Sequence, residues 1–405
     1  MKRYIIIIFL FLGSGLIACT TAVISGKFTS DGRPLLLKHR DSNFIQNKLM
    51  YFDDGKYNYI GLINSEDKKG NEVWGGVNSQ GFAIINSASY NLKDSGDTTS
   101  FLDKEGFIMK KALQECKTLK DFENLLTDHI KPLGVEANFG VIDAEGGAAY
   151  YETNNYTFLK IDANDPIHAP FGYVIRTNFS FNGKTDEGYG YIRYLTTEEL
   201  FYNASAEKNL NHKFILQDVS RSLKHSLLKV DYSKETTISK DDNSYISFLD
   251  FIPRSSSVST VLIQGVKDEE SPELSTLWTI LGFQLTSVAI PTWVKTGNRL
   301  PDLLISDSSG NAPLCNYALK LKEECFPIKR GSGYNYIKLS KVINKENEGI
   351  IQKLRPVENE ILLETEERIQ VWRKNNKLSL DEVYDLYSWV NRKVKEVYNR
   401  DFNLQ

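Results

Sequence analysis

Histidine is scarce in this chain, with five in 405 residues, and His39, His129, His168, His212 and His225 show no His-x-x-x-His spacing of the kind that holds a metal. They read as surface or satisfied core residues. Neither a Gly-x-Ser-x-Gly elbow nor a phosphate-binding loop is present, so the common serine-hydrolase and nucleotide-binding readings lose their motifs. Basic surplus is missing too: 49 Lys and Arg stand against 52 Asp and Glu, a formal charge of −3. No stretch is dense enough in Lys and Arg to track a phosphate backbone, and nucleic acid is not an expected partner. Internal repeats are absent, and no run reaches the roughly 20 apolar residues that a bilayer span needs. With 41% hydrophobic and 25% charged residues the chain has the makings of a large core, which excludes disorder.

What is present begins at the amino terminus. Met1-Lys2-Arg3 is followed by an apolar run from Ile5 to Leu12 and then by Gly13 to Cys19, the charged, greasy and small-residue regions of an export signal. The mature protein is expected to be exported to the periplasm or cell envelope. Leu16-Ile17-Ala18-Cys19 resembles a bacterial lipobox, which would tether Cys19 to a membrane through its sulfur. The alternative is ordinary cleavage after Ala18, although Leu16 stands where that peptidase prefers a small side chain. Membrane association is expected only if Cys19 is lipidated.

From Cys19 to Asp41 two strand-like runs flank Thr29-Ser30-Asp31-Gly32, a turn composition, and predict a β-hairpin. A three-residue loop between Phe28 and Gly32 would set Cys19 opposite Asp41, with a carboxylate beside the first mature residue. A core strand that starts at the cysteine itself argues against a simple tether. It suggests an N-terminal nucleophile, in which the thiol attacks and the free α-amine, with a pKa of about 8, takes the proton.

These residues carry a resemblance. Cys19-Thr20, the Thr29 to Gly32 turn and Arg40-Asp41 resemble the start of N-terminal nucleophile hydrolases related to choloylglycine hydrolase and penicillin V acylase. They are more similar still to the acyl-coenzyme A:6-aminopenicillanic acid acyltransferase and carcinine hydrolase-like peptidases. The resemblance recurs at Gly76 to Asn86, Asn138 to Glu152, Arg176-Thr177-Asn178-Phe179 and Ser259 to Trp278, and it spans roughly residues 19 to 300. It implies a four-layer αββα sandwich of the α+β class, a linear amide as small-molecule substrate, and no cofactor or metal. It also implies roles: Asp41 holds the amine and orients Cys19, Asn86 offers its amide to the oxyanion, Asn178 bonds the amine or reacting region, and Arg193 places positive charge beside the thiolate. Lys38 and Arg40 receive no role, because related families place their basic residue at different offsets before the aspartate.

Elsewhere, Asn138 to Asp143 and Ala148 to Glu152 read as a second hairpin, Glu105 to Leu126 as a helix pair over the sheet, and Ser255 to Ile263 with Ser275 to Ile280 as a further hairpin. Cys116 reads as a buried core thiol. Cys315 and Cys325 are candidates for a disulfide, since the chain is expected to be exported. Ser379-Leu380-Asp381-Glu382 reads as a capping box opening an amphipathic helix. The expected organisation is a signal peptide over 1–18, the sandwich over 19–330 and a helical appendage over 331–405. The leading expectation is an exported hydrolase of amide bonds other than peptide bonds, working through an acyl-thioester on Cys19 that water, or a second amine, resolves. A surface lipoprotein with a binding or assembly role is the alternative. Neither the particular amide nor the oligomeric state is legible.

Overall fold

The computed structural model describes residues 18–99 and 102–404, so the segment expected to be an export signal lies outside the described residues apart from Ala18. Two antiparallel sheets form the centre. The first is built from β1 (Thr20–Ile24), β2 (Leu35–Asp41), β10 (Tyr173–Arg176), β11 (Ser257–Gln264), β12 (Thr276–Leu281) and β13 (Ile290–Thr292), in the order β10-β1-β2-β11-β12-β13. The second runs β3 (Asn47–Phe52), β4 (Tyr59–Asn64), β5 (Gly76–Asn78), β6 (Ala83–Ala88), β7 (Ala137–Ile142), β8 (Ala148–Thr153) and β9 (Phe158–Asp162), in sequence order.

Most of these strands are buried along their whole length, β1, β2, β4, β7, β8 and β11 without a break. That pattern arises when both faces of a sheet are covered. Between the sheets Val23 and Leu36 share a core with Ile60, Val77, Ile85 and Tyr150. At Gly140 the sheets come so close that an added Cβ would lie 2.9 Å from Val23 and 3.1 Å from Leu36 of the other sheet, and a larger residue would push them apart. On the far side of the second sheet, α1 (Glu105–Glu115) and α2 (Leu119–Asp128) bury Ile108, Met109, Leu113 and Phe122 against Ile84, Phe139 and Tyr151. Thr118 and Asp121 make the reciprocal capping box that starts α2.

The far side of the first sheet is covered by α3 (Tyr191–Ala206), α4 (Pro313–Cys325), α5 (Ile350–Lys374) and α6 (Leu380–Phe402). The expected four-layer sandwich is therefore the fold the chain adopts. The two carboxy-terminal helices share its core: Trp372 of α5 meets Trp293 edge-on at 5.3 Å, and the Tyr398 hydroxyl of α6 donates to Thr286 O at 2.8 Å. Among the described residues no helix is long and apolar enough to cross a membrane.

Three local expectations are corrected. The first hairpin closes through a long connection from Ser25 to Pro34, so Thr20 faces His39 and Ile24 faces Leu35, one residue away from the register that would set Cys19 opposite Asp41. Because side chains alternate along a strand, Cys19 then falls on the face of Lys38 and Arg40 rather than of Asp41. Cys315 and Cys325 are both free and buried. They sit ten residues apart in one helix, about 15 Å at the helical rise, where a disulfide needs Cα atoms within about 7 Å. Ser379 makes no side-chain cap, and the Glu382 carboxylate accepts the indole N–H of Trp372 rather than closing a capping box. Cys116 is a buried free thiol, as its surroundings predict, and burial pushes it up to about 12.

Candidate active site

The site forms where β1 and β2 begin and end. Cys19 is only 4% exposed, but its surroundings are polar and cationic rather than aliphatic. Its Sγ lies 4.0 Å from the backbone oxygen of Asp41. The Arg193 guanidinium, at the start of α3, donates through Nη1 to Cys19 O at 2.6 Å and to Thr20 Oγ1 at 2.8 Å. Its Nη2 donates to Asn178 Oδ1 at 3.0 Å, and Asn178 Nδ2 donates onward to Ala88 O at 2.9 Å. Gly190 just before α3 is needed here: its φ is +86°, and a Cβ would stand 2.1 Å from Arg193 Nη2.

Asp41 ends β2 on the opposite face from Lys38. Its carboxylate pairs with Arg254 and accepts from the Ser257 hydroxyl. The same Arg254 Nη2 donates to Ala18 O at 2.5 Å, so the Ala18–Cys19 peptide lies beside the Asp41 carboxylate. Burial raises the Asp41 carboxyl, an effect opposed by Arg254 and Arg193. His39 on this face is a satisfied core residue. Its Nε2 lies 2.9 Å from Ser257 Oγ, which gives its proton to Asp41, and burial holds the ring well below its usual range.

The other face of β2 meets the second sheet. Lys38 is 1% exposed, and its ammonium donates to Asn86 Oδ1 on β6. Asn86 Nδ2 donates to no acceptor among the described residues. Burial lowers Lys38 to about 8, with the Cys19 sulfur the largest opposing charge. Arg40 is clamped by Asn47 Oδ1 at 2.8 Å and Asn64 Oδ1 at 2.9 Å, with its guanidinium 4.8 Å from the Trp74 ring centroid. Burial lowers it to about 10 and Arg193 to about 9. Lys322, lowered to about 8 by burial, donates to Ser257 O at 2.8 Å. Glu105, the first residue of α1, is fully buried; its two carboxyl oxygens lack a well-formed hydrogen bond, and burial raises it well above the usual carboxyl range.

The five residues singled out from the sequence lie around this one place, linked by three routes. Arg193 and Asn178 are reached through the Cys19 carbonyl, Asn86 through Lys38, and Asp41 through Arg254 and the backbone. The sequence assigns no role to Lys38, Arg40, Arg254 or Glu105. Lys38 and Arg40 carried a signal in the stretch before Asp41, whereas Arg254 arrives from the turn before β11 and Glu105 from a helix start that looks like any other. Among the described residues no cluster of His, Cys, Asp and Glu could hold a metal ion.

No family model matches the chain, and no curated protein matches it in sequence. Among solved structures it is similar to an ortholog of N-acylethanolamine-hydrolyzing acid amidase from Caenorhabditis elegans, at 14% identity over 63% of this chain and 93% of that one, with a TM-score of 0.40. It is also similar to a mutant of conjugated bile acid hydrolase from Clostridium perfringens, at 12% identity over 69% and 93%, TM-score 0.40. A third is penicillin V acylase from Agrobacterium tumefaciens, at 12% identity over 70% and 87%, TM-score 0.36.

Proposed function

We propose that the chain is an exported amide hydrolase, resembling the N-terminal nucleophile enzymes, in which Cys19 becomes both amino terminus and nucleophile. The observation that carries this reading is the placement of the Ala18–Cys19 peptide against Asp41 through Arg254. Cleavage there would leave the new α-amine beside a carboxylate and the thiol on the face of Lys38 and Asn86. Amine and sulfur on one residue can then share a proton, directly or through a water.

In the proposed reaction the Cys19 sulfur adds to the amide carbonyl, and its proton passes through the α-amine to the leaving nitrogen. The C–N bond breaks to leave an acyl-thioester, and water, activated by the same amine, releases the acid and restores the thiol. Asn86, its oxygen held by Lys38, presents Nδ2 to the oxyanion. Positive charge from Lys38, Arg40 and Arg193 opposes the negative charge that develops on sulfur and oxyanion. A second amine in place of water would make the enzyme an acyltransferase. The lipoprotein reading is disfavoured because a diacylglyceryl group must reach a membrane, and this sulfur is buried.

Intact-mass measurement of the mature protein tests the first step: a chain starting at unmodified Cys19 is expected, and an exclusively lipidated terminus would sink the reading. Incubation with a panel of N-acyl amino acids, β-alanyl amides, phenoxyacetyl penicillins and conjugated bile acids should then add an acyl mass to Cys19. Cys19→Ala should abolish turnover; unchanged turnover refutes the mechanism.

A further inference from the structure

The loop from Phe179 to Ile192 joins Asn178 to Arg193 and folds around a cavity of about 690 Å³. Four aromatic rings line it, from Phe179, Phe181, Tyr189 and Tyr191. Phe181 is 58% exposed, Tyr189 48% and Tyr191 61%, although such rings ordinarily seek burial. Single exposed aromatics are unremarkable, but several gathered around one concavity make a binding wall.

This wall is held in place from behind. Buried Asn91 donates through Nδ2 to Ser180 O at 2.9 Å and to Lys184 O at 3.1 Å. Buried Glu152 takes the backbone N–H groups of Phe181 at 3.1 Å and Asn182 at 2.9 Å. Gly183 packs against Asn91 so tightly that a Cβ would meet its side chain at 2.4 Å. The cavity also abuts the site: Asn178 and Tyr189 exchange both backbone hydrogen bonds at 3.1 Å, and Tyr189 meets Tyr90 edge-on at 5.5 Å.

Charge sets what the rings can hold. Asp186, Glu187 and Asp250 line the cavity against one cation, Lys184. None of these three carboxylates has an ion-pair partner within 4 Å among the described residues. Arg193 lies behind the wall, with Asp41, the Cys19 sulfur and Asp250 as its opposing charges. Phe181 already accepts a cation on one face, where the Arg176 guanidinium stands 4.6 Å from its centroid and is neutralised by Glu152 at 2.7 Å.

We infer that this cavity takes a positively charged organic group of the amide substrate, an ammonium held between aromatic faces and carboxylates. The inference rests on the reading of Cys19 as nucleophile. A free carboxylate on the substrate would be repelled here. A plain alkyl chain would gain from the rings but desolvate the acids for nothing in return.

The test needs no turnover. Choline and its neutral isostere 3,3-dimethylbutan-1-ol are titrated into the wild-type protein, with binding read by calorimetry and by shifts of the tyrosine resonances. Choline should bind at least about tenfold tighter, the scale of a partly desolvated cation on an aromatic wall. The double variant Asp186→Asn, Glu187→Gln should cut that advantage at least threefold, and Tyr191→Leu should weaken choline more than the alcohol. These side chains are exposed, so unchanged melting curves check that the variants are folded. Equal affinities, no binding by either ligand, or an advantage that survives the double variant would overturn the inference. Expected choline binding without any acyl mass on Cys19 would overturn the catalytic reading and leave a cation site; acylation without a preference for choline would do the reverse.

Discussion

Lys38 donates its ammonium to Oδ1 of Asn86 across the gap between the two sheets, and that contact decides which end of the amide is left to donate. Deprived of it, Asn86 could rotate and present oxygen to an oxyanion. Lys38→Met should therefore lower turnover at least about tenfold, approaching the roughly 100- to 1000-fold expected of Asn86→Ala as loss of an oxyanion donor. The melting temperature should not fall with it, since a buried ammonium without a carboxylate partner is exchanged for an apolar chain. Steady-state kinetics and a thermal scan on the same preparation check both.

Lys38 also sets a pH signature. Its native pKa, lowered to about 8 by burial, lies under the unfolded value of 10.5, so between those limits the unfolded chain binds more protons. Stability from this group should rise with pH across that window. The rise should be missing in Lys38→Met when urea midpoints are compared across it.

Glu105 predicts the opposite slope. Its carboxyl is raised well above the usual 4.5, so above that pH the native chain keeps a proton that the unfolded chain has lost, and stability falls as pH climbs toward the raised value. Glu105→Gln should remove this decline and be the more stable form at neutral pH. A variant with the wild-type slope would place the titration elsewhere.

Much of the site was legible because it lies in strands that announce themselves. Ala22 to Ile24, Leu35 to Leu37 and Ala83 to Ile85 are apolar runs that must be buried; Asp41 ends the strand that Leu35 opens, and Asn86 follows Ile85 directly. Register was not legible: it depended on the length of the connection after Ile24, and Gly26 with Gly32 supports a long loop as readily as a tight one. That one-residue difference moves Lys38 and Arg40 to the thiol's face. Arg254 reaches Asp41 across 213 positions of sequence, and no local pattern records such a contact. Glu105 shows as an ordinary acidic helix start, and only the packing of α1 reveals that it is buried.

Glu358 on α5 anchors the carboxy-terminal helices. It takes Arg221 Nη1 at 2.9 Å and Nη2 at 2.5 Å, Gln217 Nε2 at 3.0 Å and Ala289 N at 2.8 Å, with both charged side chains 2% exposed. Glu358→Ala strands a buried guanidinium and should cost about 3–5 kcal/mol in urea denaturation. Adding Arg221→Met should recover much of that loss.

The placement of Cys315 and Cys325 at opposite ends of one helix predicts indifference to reductant. Burial pushes Cys315 up to about 11 and Cys325 above the range of ordinary thiols, so neither is an eager thiolate. Melting temperature with and without dithiothreitol should agree, and thiol counting after denaturation should find both sulfurs reduced.

The docking of α6 onto Thr286, through the Tyr398 hydroxyl, has a consequence for biosynthesis. Synthesis runs from the amino end, so the part of the core that α6 covers stays open until that helix has been made. A stop before α6 would leave Cys19, Asp41, Asn86, Asn178 and Arg193 encoded yet expose a greasy seam, and the product should clump rather than work poorly.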